Sequence, residues 1–366
     1  MQLGIVGLPN AGKSTLFNLV TGGAARTDLY PFTTVDSNVG TVEVPDERLD
    51  QVARALGSRQ SVPSTVRIVD IAGLVPGASR GEGLGNRFLG HIREVDAVAH
   101  VVRAFQREDV PHSEGDINPL RDLELVELEM ILADLETVQR RIESIATAAR
   151  SGDRVLAEQM KVLSDLKQRL TAGQYLATSD LSSEEERAAA DLHLLTWRPV
   201  LCVANVDESE MERFLAGDSS RLDPLRERAS ERGMKFTVIP LGFEQELSTL
   251  AEGERQEFLQ DLGLQQSGRE RFLRAAHELL GLITFFTGNA KETQARSLRR
   301  GATAVEAAGK IHSDMERGFI RVEVINADEL LPVGSRREAR DRGLLRIEGR
   351  DYLVSDGDVM EVLFRV

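Results

Sequence analysis

The sequence predicts an α/β protein: a doubly wound, mainly parallel sheet with an inserted helical hairpin, followed by a small α+β module. Three observations predict it. Short apolar runs alternate with helical spacing, a leucine-rich stretch breaks that rhythm, and β-like runs dominate the end of the chain. At 366 residues the chain is too long for one ordinary core. We therefore expect three domains, formed by residues 1–119 with 197–280, by 120–196 and by 281–366.

The strands of the α/β part are predicted from apolar runs that stop at glycine, proline or a polar residue. Separated by helical stretches, they indicate a mainly parallel sheet covered on both faces. The predicted strands are 3–6, 37–44, 66–69, 95–102, 200–203 and 237–240.

The inserted segment 120–196 has apolar residues at three- and four-residue spacing with charges between them. The turn-like segment 151–153 divides it, which predicts an antiparallel hairpin, with a coiled coil as one form that it could take. In the plainer interpretation, which we favour, the stripe packs the hairpin against itself. The stripe residues are Leu125, Leu128, Leu132, Leu135, Ile142, Met160, Leu163 and Leu170.

The last part of the chain predicts strands at 319–325, 352–354 and 359–364, with one helix at 303–312. Asp356–Asp358 is typical of a turn between the last two strands. The arginine-rich segment 333–342 fits either a basic contact or a solvated surface helix, and we favour the latter.

Charge and composition exclude several classes of protein. The net charge is −14, and residues 281–366 hold 14 Lys/Arg and 14 Asp/Glu, so the acidic excess lies in the first 280 residues. A uniformly basic nucleic-acid binder is excluded, and we expect no DNA partner. The single cysteine, Cys202, excludes an intramolecular disulfide and suggests a reducing compartment. With neither a signal-like start nor an apolar run of about 20 residues, we expect a cytoplasmic location without membrane contact.

Residues 7–14 read G-L-P-N-A-G-K-S and match the phosphate-binding pattern G-x-x-x-x-G-K-[ST]. The glycines let backbone N–H groups surround phosphate oxygens at the start of the next helix. Lys13 would reach the β- and γ-phosphates, and Ser14 would place its hydroxyl on Mg²⁺. The predicted nucleotide-binding residues here are Asn10, Ala11, Gly12, Lys13, Ser14 and Thr15.

Asp70 and Gly73 form D-x-x-G at the end of a predicted strand. After a phosphate-binding loop, we expect Asp70 at the metal and the N–H of Gly73 at the γ-phosphate. Residues 31–34 offer a threonine to Mg²⁺; Thr34 is favoured and Thr33 is the alternative. We predict metal binding by Ser14, Thr34 and Asp70.

In related nucleotide hydrolases a glutamine often follows D-x-x-G and orients the attacking water. Leu74 occupies this position here, and its side chain forms no hydrogen bond. Hydrolysis therefore needs another group or is slow. His112, in the polar loop 108–114, is the candidate, although a loop histidine by itself is more often solvated than catalytic.

The base-selecting motif follows a predicted strand at residues 205–208, which read N-V-D-E. The usual N-K-x-D ends in an aspartate that accepts two hydrogen bonds from guanine. Here Val206 replaces the lysine, and the longer Glu208 fits guanine poorly. Together with Asn205, these residues favour ATP over GTP.

These motifs together resemble the Obg-related, YchF-type ATPases over nearly the whole chain. The matching stretches are 4–15, 69–75, 77–86, 205–208 and 318–325. The resemblance implies a P-loop G domain, an inserted helical domain and a C-terminal TGS domain of β-grasp fold. It also implies Mg²⁺-dependent ATP hydrolysis, association with the ribosome and its RNA, and a catalytic role for His112.

The resemblance further implies that Asn10 allows K⁺ to bind and to add positive charge at the phosphates. The sequence also departs from the family's pattern at two places. Thr33 stands where the family often has a switch cysteine, so redox control is in doubt. Residues 239–243 stand where a P-V-S-A-like stretch closes over the base; Leu241 is expected to contact it, and Gly242 and Phe243 replace small or polar residues.

Three functions are weighed. The favoured one is an ATP-hydrolysing switch that acts with a large partner in translation or stress regulation. The others are a GTPase of the same architecture and a non-hydrolysing module in which nucleotide only sets the conformation, as Leu74 would suggest.

Overall fold

The computed structural model describes residues 1–22, 38–71, 84–107, 109–112, 115–177 and 181–365. Thr33, Thr34, Gly73 and Leu74 lie outside these residues, so the predictions about them are not addressed by the structure.

Twelve strands are formed by the described residues. They are β1 (Gln2–Val6), β2 (Asn38–Val44), β3 (Gln60–Val62), β4 (Ser64–Asp70), β5 (Ala97–Arg103), β6 (Val200–Asn205), β7 (Lys235–Ile239), β8 (Leu282–Gly288), β9 (Glu292–Arg299), β10 (Phe319–Asn326), β11 (Arg346–Glu348) and β12 (Asp358–Phe364).

Fifteen α-helices connect these strands within the same described ranges. They are α1 (Lys13–Thr21), α2 (Arg48–Leu56), α3 (Leu84–Glu94), α4 (Pro119–Arg150), α5 (Arg154–Thr171), α6 (Ser183–Ala189), α7 (Glu208–Leu215), α8 (Asp223–Glu231), α9 (Leu241–Leu247), α10 (Glu252–Asp261), α11 (Gly268–Leu279), α12 (Ala304–Ile311), α13 (Ser313–Arg317), α14 (Ala327–Val333) and α15 (Arg336–Asp341). Within the residues that the structure describes, no helix is both long and apolar enough to cross a bilayer.

The contacts divide the chain into two compact units. The first contains Met1–Gly40 and Arg67–Phe272, and the second contains Thr41–Val66 and Leu273–Val366. The helical segment thus belongs to the first unit, and α2 and β3 belong with the C-terminal residues. The three-domain division expected from the sequence stays a prediction.

The first sheet has the order β2-β4-β1-β5-β6-β7. The pairs β4–β1, β1–β5, β5–β6 and β6–β7 are parallel, which confirms the predicted mainly parallel sheet. Every residue of β5 and β6 is buried. The carboxyl ends of β1, β4, β5, β6 and β7 therefore meet at one edge, where parallel α/β sheets bind ligands.

The hairpin is confirmed, because α4 and α5 are joined by the three residues 151–153. The predicted stripe, however, does not all face the partner helix. Leu135 and Ile142 pack in the hairpin, Leu125 packs against the sheet, and Leu128 is 46% exposed. The buried line runs instead through Ile131, Val138 and Ile145, at the seven-residue spacing of a two-helix seam.

The second sheet, in the C-terminal unit, has the order β11-β10-β12-β8-β9-β3. The first and last strands of the C-terminal part, β8 and β12, are parallel neighbours, and α12 lies between β9 and β10 in the chain. This order is consistent with the β-grasp fold that the resemblance implies, while the TGS assignment stays a prediction.

The predicted strand at 352–354 is wrong. This segment forms only an isolated bridge, Thr303 to Leu353, because its backbone pairs with the start of α12: the N–H of Ala304 donates to Tyr352 O at 2.8 Å. The β-like pattern therefore corresponds to a segment whose backbone pairs with the start of a helix and not to a strand of the sheet.

The arginine-rich segment contains a surface helix, and three of its four arginines are paired within the unit. Arg336 and Arg340 bind Glu323 at 3.1 and 3.0 Å, and Arg342 binds Glu338 at 2.9 Å. These pairs neutralise the charge locally, which favours the solvated helix over a basic contact.

Candidate nucleotide-binding site

The phosphate-binding loop lies between β1 and α1, the context that the motif requires. Gly7 and Gly12 have φ of 150° and 104°, and Asn10 has φ of 62°. A Cβ at Gly7 would collide with Val101 O, and one at Gly12 with Asn205 Nδ2. The two glycines are therefore required both by the backbone angle and by the close neighbours.

Lys13 opens α1 and is 9% exposed. Its Nζ donates to Leu8 O at 2.8 Å, so the ammonium lies inside the curve of the loop. Burial lowers the pKa of Lys13, while the charge of Asp70 opposes the shift. A cation held in this way is suited to a polyphosphate, whose negative charge offsets the desolvation of the ammonium.

Ser14 and Asp70 come together at the carboxyl edge of the sheet. Asp70 ends β4 beside Ile5 of β1, and Ser14 Oγ donates to Asp70 Oδ2 at 3.2 Å. Burial raises the pKa of Asp70, against the hydrogen bond from Ser14 and the charge of Lys13. The carboxylate oxygens of Asp70 and the hydroxyl of Ser14 are the kind of ligands that Mg²⁺ prefers, so the residues fit the metal.

Asn205 joins two sides of the site. Its Nδ2 donates to Ala11 O at 2.9 Å, and its Oδ1 accepts from Leu241 N at 3.2 Å; both bonds are buried. Asn205 thus fixes the phosphate-binding loop to the start of α9. The sequence predicted a contact with the base and gave no sign of this bridging role.

Glu208 begins α7 and is exposed. The residue before it, Asp207, caps this helix by accepting from Glu210 N at 2.9 Å. The cap turns Asp207 toward its own helix, so Glu208 is the carboxylate of the N-V-D-E motif that is free of this capping bond.

A cavity of about 750 Å³ opens at this edge of the sheet, which is within the size range of nucleotide and cofactor pockets. Four segments line it: the phosphate-binding loop, the residues after β5, those after β6 and the first turns of α9. Of the predicted nucleotide-binding residues, Asn10, Gly12, Lys13, Ser14, Thr15, Asn205, Val206, Glu208 and Leu241 line the cavity.

The sequence did not assign several other lining residues. These come from the segment after β5 and from α9, where no local motif marks them: Phe105, Gln106, Arg107, Val110, Gln245 and Glu246. Ala11 contributes its carbonyl to Asn205 and is not in the lining.

His112 is not among the residues that line the cavity. Its Nε2 is 2.7 Å from Asp122 Oδ2, and each side chain is 3% exposed. The loop before it is held from two sides, because Asn10 Nδ2 and Arg103 Nη1 donate to Pro111 O at 3.1 and 3.3 Å. The catalytic role of His112 stays a prediction, and in this structure its partner is the first turn of α4.

Cys202 lies on β6 and is fully buried. Burial raises the pKa of its thiol to about 12, so the thiol is protonated and unreactive at neutral pH.

A glycine loop between a parallel strand and a helix, with its lysine, its Ser–Asp pair and a cavity at the strand ends, defines a P-loop nucleotide-binding protein. A family model described as a 50S ribosome-binding GTPase matches residues 2–137, and the C-terminal model of the YchF GTPases, described as a protein of unknown function, matches 282–365. The chain belongs to the YchF family.

Curated relatives match along their whole length. The "Ribosome-binding ATPase YchF" of Bacillus subtilis (strain 168) is 43% identical over 366 residues, which is 100% of both chains. The protein of the same name from Escherichia coli O157:H7 is 43% identical over 100% of this chain and 99% of its own. The solved structure of the Schizosaccharomyces pombe YchF GTPase is 31% identical, with a TM-score of 0.84, over 99% of this chain and 97% of its own.

Proposed function

We propose that this chain is a Mg²⁺-dependent ATPase that acts as a switch with the ribosome. The observation that carries the proposal is the cavity, which is lined by Lys13 and Ser14, the phosphate end in this proposal, and by Asn205 and Glu208, the base end. The bacterial relatives are named ribosome-binding ATPases, which supports both the nucleotide and the partner. We extend the proposal to ribosomal RNA, a cytoplasmic location and a role in translation or stress regulation, on the resemblance alone.

Backbone N–H groups and one side chain position the triphosphate in this proposal. The N–H groups of residues 10–15 and the Lys13 ammonium bind the phosphate oxygens, and Gly73 donates its N–H to the γ-phosphate. Ser14, Asp70 and Thr34 hold the metal, which when bound neutralises the charge that develops on the phosphate oxygens. We also propose that K⁺ binds beside Asn10 and adds positive charge there.

His112 is the proposed group for orienting or deprotonating the attacking water. Because the His112 side chain is 3% exposed and is not part of the cavity lining, it has to move before it can reach the attacking water. The proposal therefore includes a rearrangement of the segment 105–112 when nucleotide and partner bind.

The base end favours ATP by the length of Glu208. Guanine offers two donors that a shorter aspartate would accept side by side, and the longer carboxylate fits this pair less well. The alternative is a GTPase of the same architecture, which the name of the S. pombe structure favours. The burial of His112, which is 3% exposed and outside the cavity lining, favours a second alternative, a module that binds nucleotide without turnover.

Phosphate release tests these alternatives directly. The full chain is assayed with Mg²⁺ and K⁺ at saturating ATP or GTP, with and without ribosomes. Multiple turnover of ATP that exceeds that of GTP supports the proposal, and the reverse order supports the GTPase. Binding without multiple turnover under every condition would leave only the non-hydrolysing module.

A further inference from the structure

His112 and Asp122 form a buried pair at the first turn of α4. His112 Nε2 lies 2.7 Å from Asp122 Oδ2, and each side chain is 3% exposed. A hydrogen bond that is shielded from water is electrostatically stronger than the same bond at the surface. The pair therefore holds the imidazole against α4, outside the set of residues that line the cavity.

Asp122 is fixed in its place because the start of α4 is packed into the core. The next residue, Leu123, is 0% exposed and belongs to the same buried cluster as Cys202 of β6. The second oxygen of the carboxyl group is also bound, since Asp122 Oδ1 accepts from Arg121 Nη2 at 3.2 Å. A movement of His112 toward the cavity therefore breaks the pair and does not carry Asp122 along.

The residues just before His112 are held from the side of the phosphate-binding loop. Arg103, at the end of β5, donates to Val110 O at 2.9 Å and to Pro111 O at 3.3 Å. Asn10 Nδ2 donates to the same Pro111 O at 3.1 Å. Two adjacent residues thus connect the phosphate-binding loop, through Pro111, with the first helix of the hairpin, through His112.

We propose that Asp122 is a positioning residue that keeps His112 out of the cavity and so limits ATP hydrolysis until the pair opens. This inference rests on the proposed function, in which His112 acts on the attacking water. From Asp122, α4 continues into the hairpin with α5. A partner that binds the hairpin and displaces the first turn of α4 would therefore release His112 and raise turnover.

Asp122→Asn tests the pair, because the amide keeps the shape of the side chain but forms a weaker bond with the imidazole. Steady-state phosphate release by the full chain, with Mg²⁺, K⁺ and saturating ATP but without ribosomes, should rise about fivefold, because more molecules have His112 released. The affinity for ATP should stay within about twofold, since Asp122 does not line the cavity. Asp122→Ser, which removes the carboxyl group altogether, should change turnover in the same direction.

Two further variants exclude other causes of a gain. Asp116→Asn removes a carboxylate that pairs with Arg121 at 2.6 Å but leaves the bond to His112 in place, so turnover should not change. Asp122→Asn combined with His112→Ala should lose the gain, because the group that the first substitution releases is then absent.

The exposure of His112 can be measured independently of turnover, by carbethoxylation with diethyl pyrocarbonate and peptide mass spectrometry. In wild type His112 should react slowly relative to His193, which is exposed. In Asp122→Asn the rate at His112 should rise about fivefold while the rate at His193 stays the same.

The outcomes separate this inference from the proposed function. A fall in turnover in Asp122→Asn to the level of His112→Ala would show that Asp122 supports His112 during the reaction, and would refute the inference. Unchanged turnover, or an unchanged rate of modification at His112, would refute it as well, while hydrolysis by the wild type would leave the proposed function standing. If neither wild type nor Asp122→Asn releases phosphate, even with ribosomes, the proposed function fails and the inference fails with it.

Discussion

The two ends of the cavity are built in different ways. At the phosphate end, the shape is set by the backbone, through the glycine φ angles and the start of α1. The side chains that contribute there are those of Lys13, Ser14 and Asp70. At the base end, side chains from distant segments, Asn205, Glu208 and Phe243, form the wall.

The difference explains why one end can be read from local sequence and the other cannot. A backbone cradle demands glycines at fixed spacing, whereas a wall of side chains accepts several combinations. It also predicts that mutations at the phosphate end abolish chemistry, while mutations at the base end change affinity and selectivity.

The largest effect is expected from Lys13→Ala. Removing the ammonium from the loop should lower ATP turnover at least about 100-fold, because the group faces charge that develops on the phosphates. Steady-state phosphate release measures it, and Lys161→Ala, at an exposed lysine of α5, is the control. Turnover within threefold of wild type would contradict the assignment of the phosphate end.

Asn205→Ala should affect both ends at once. It leaves Ala11 O and Leu241 N without a partner in buried positions, which should lower the free energy of unfolding by about 2 kcal/mol or more. Urea unfolding measures this, with exposed Asn18→Ala as the control. Asn205→Asp, which keeps the acceptor but loses the donor, should fall between them; an unchanged Asn205→Ala would show that the bridge carries no stability.

Acid should lower the free energy of unfolding through His100, which lies on β5. His100 pairs with Val6 in the sheet, and burial, with a smaller effect of Lys13, lowers its pKa from 6.5 to about 3. Below pH 6.5 the imidazole binds a proton in the unfolded chain but not in the folded chain. The free energy of unfolding therefore decreases as the pH falls from 6.5 toward 3. By pH 5 the loss should be about 2 kcal/mol.

His100→Gln should flatten this pH dependence, as measured by urea unfolding between pH 7 and 5. The matched control is His193→Gln, because His193 is exposed in the first unit. An equal acid sensitivity of wild type and His100→Gln would contradict the assignment to His100.

The smallest effect is expected from Glu208→Asp. The shorter carboxylate should shift the ratio of ATP to GTP affinity toward GTP by about tenfold while leaving the phosphate end intact. Titration calorimetry measures both affinities, and Glu212→Asp, at an exposed glutamate of the same helix, is the control. A ratio that stays within twofold of wild type would remove Glu208 from the role of selector.

Much of the fold was accessible from the sequence because buried parallel strands read as short apolar runs. The strands at 200–205 and 235–239 were found in this way. The hairpin β8–β9 was not predicted, since Glu292–Arg299 alternates buried and half-exposed residues with two arginines among them. β3 is exposed throughout and pairs with β9, a contact that no local pattern encodes.

The residues of the site likewise divide into those that a local motif predicts and those that it does not. The loop and Asp70 were predicted because phosphate and metal chemistry fix the residue types and their spacing. Asn205 as a bridge was not predicted, because it joins segments far apart in sequence. Asp122 as the partner of His112 was not predicted either, because the loop that brings them together has no periodic pattern. The stripe of α4 was only partly right: Leu135 and Ile142 pack in the hairpin, but Leu128 is exposed, and the most buried face is that of Ile131 and Val138.

The central claim is that the base end selects ATP, and side-by-side calorimetry of ATP and GTP with Mg²⁺ on the wild-type chain tests it most directly. The account predicts that ATP binds at least about tenfold more tightly than GTP. Tighter binding of GTP would contradict the ATPase assignment, while the fold and the phosphate end would stand.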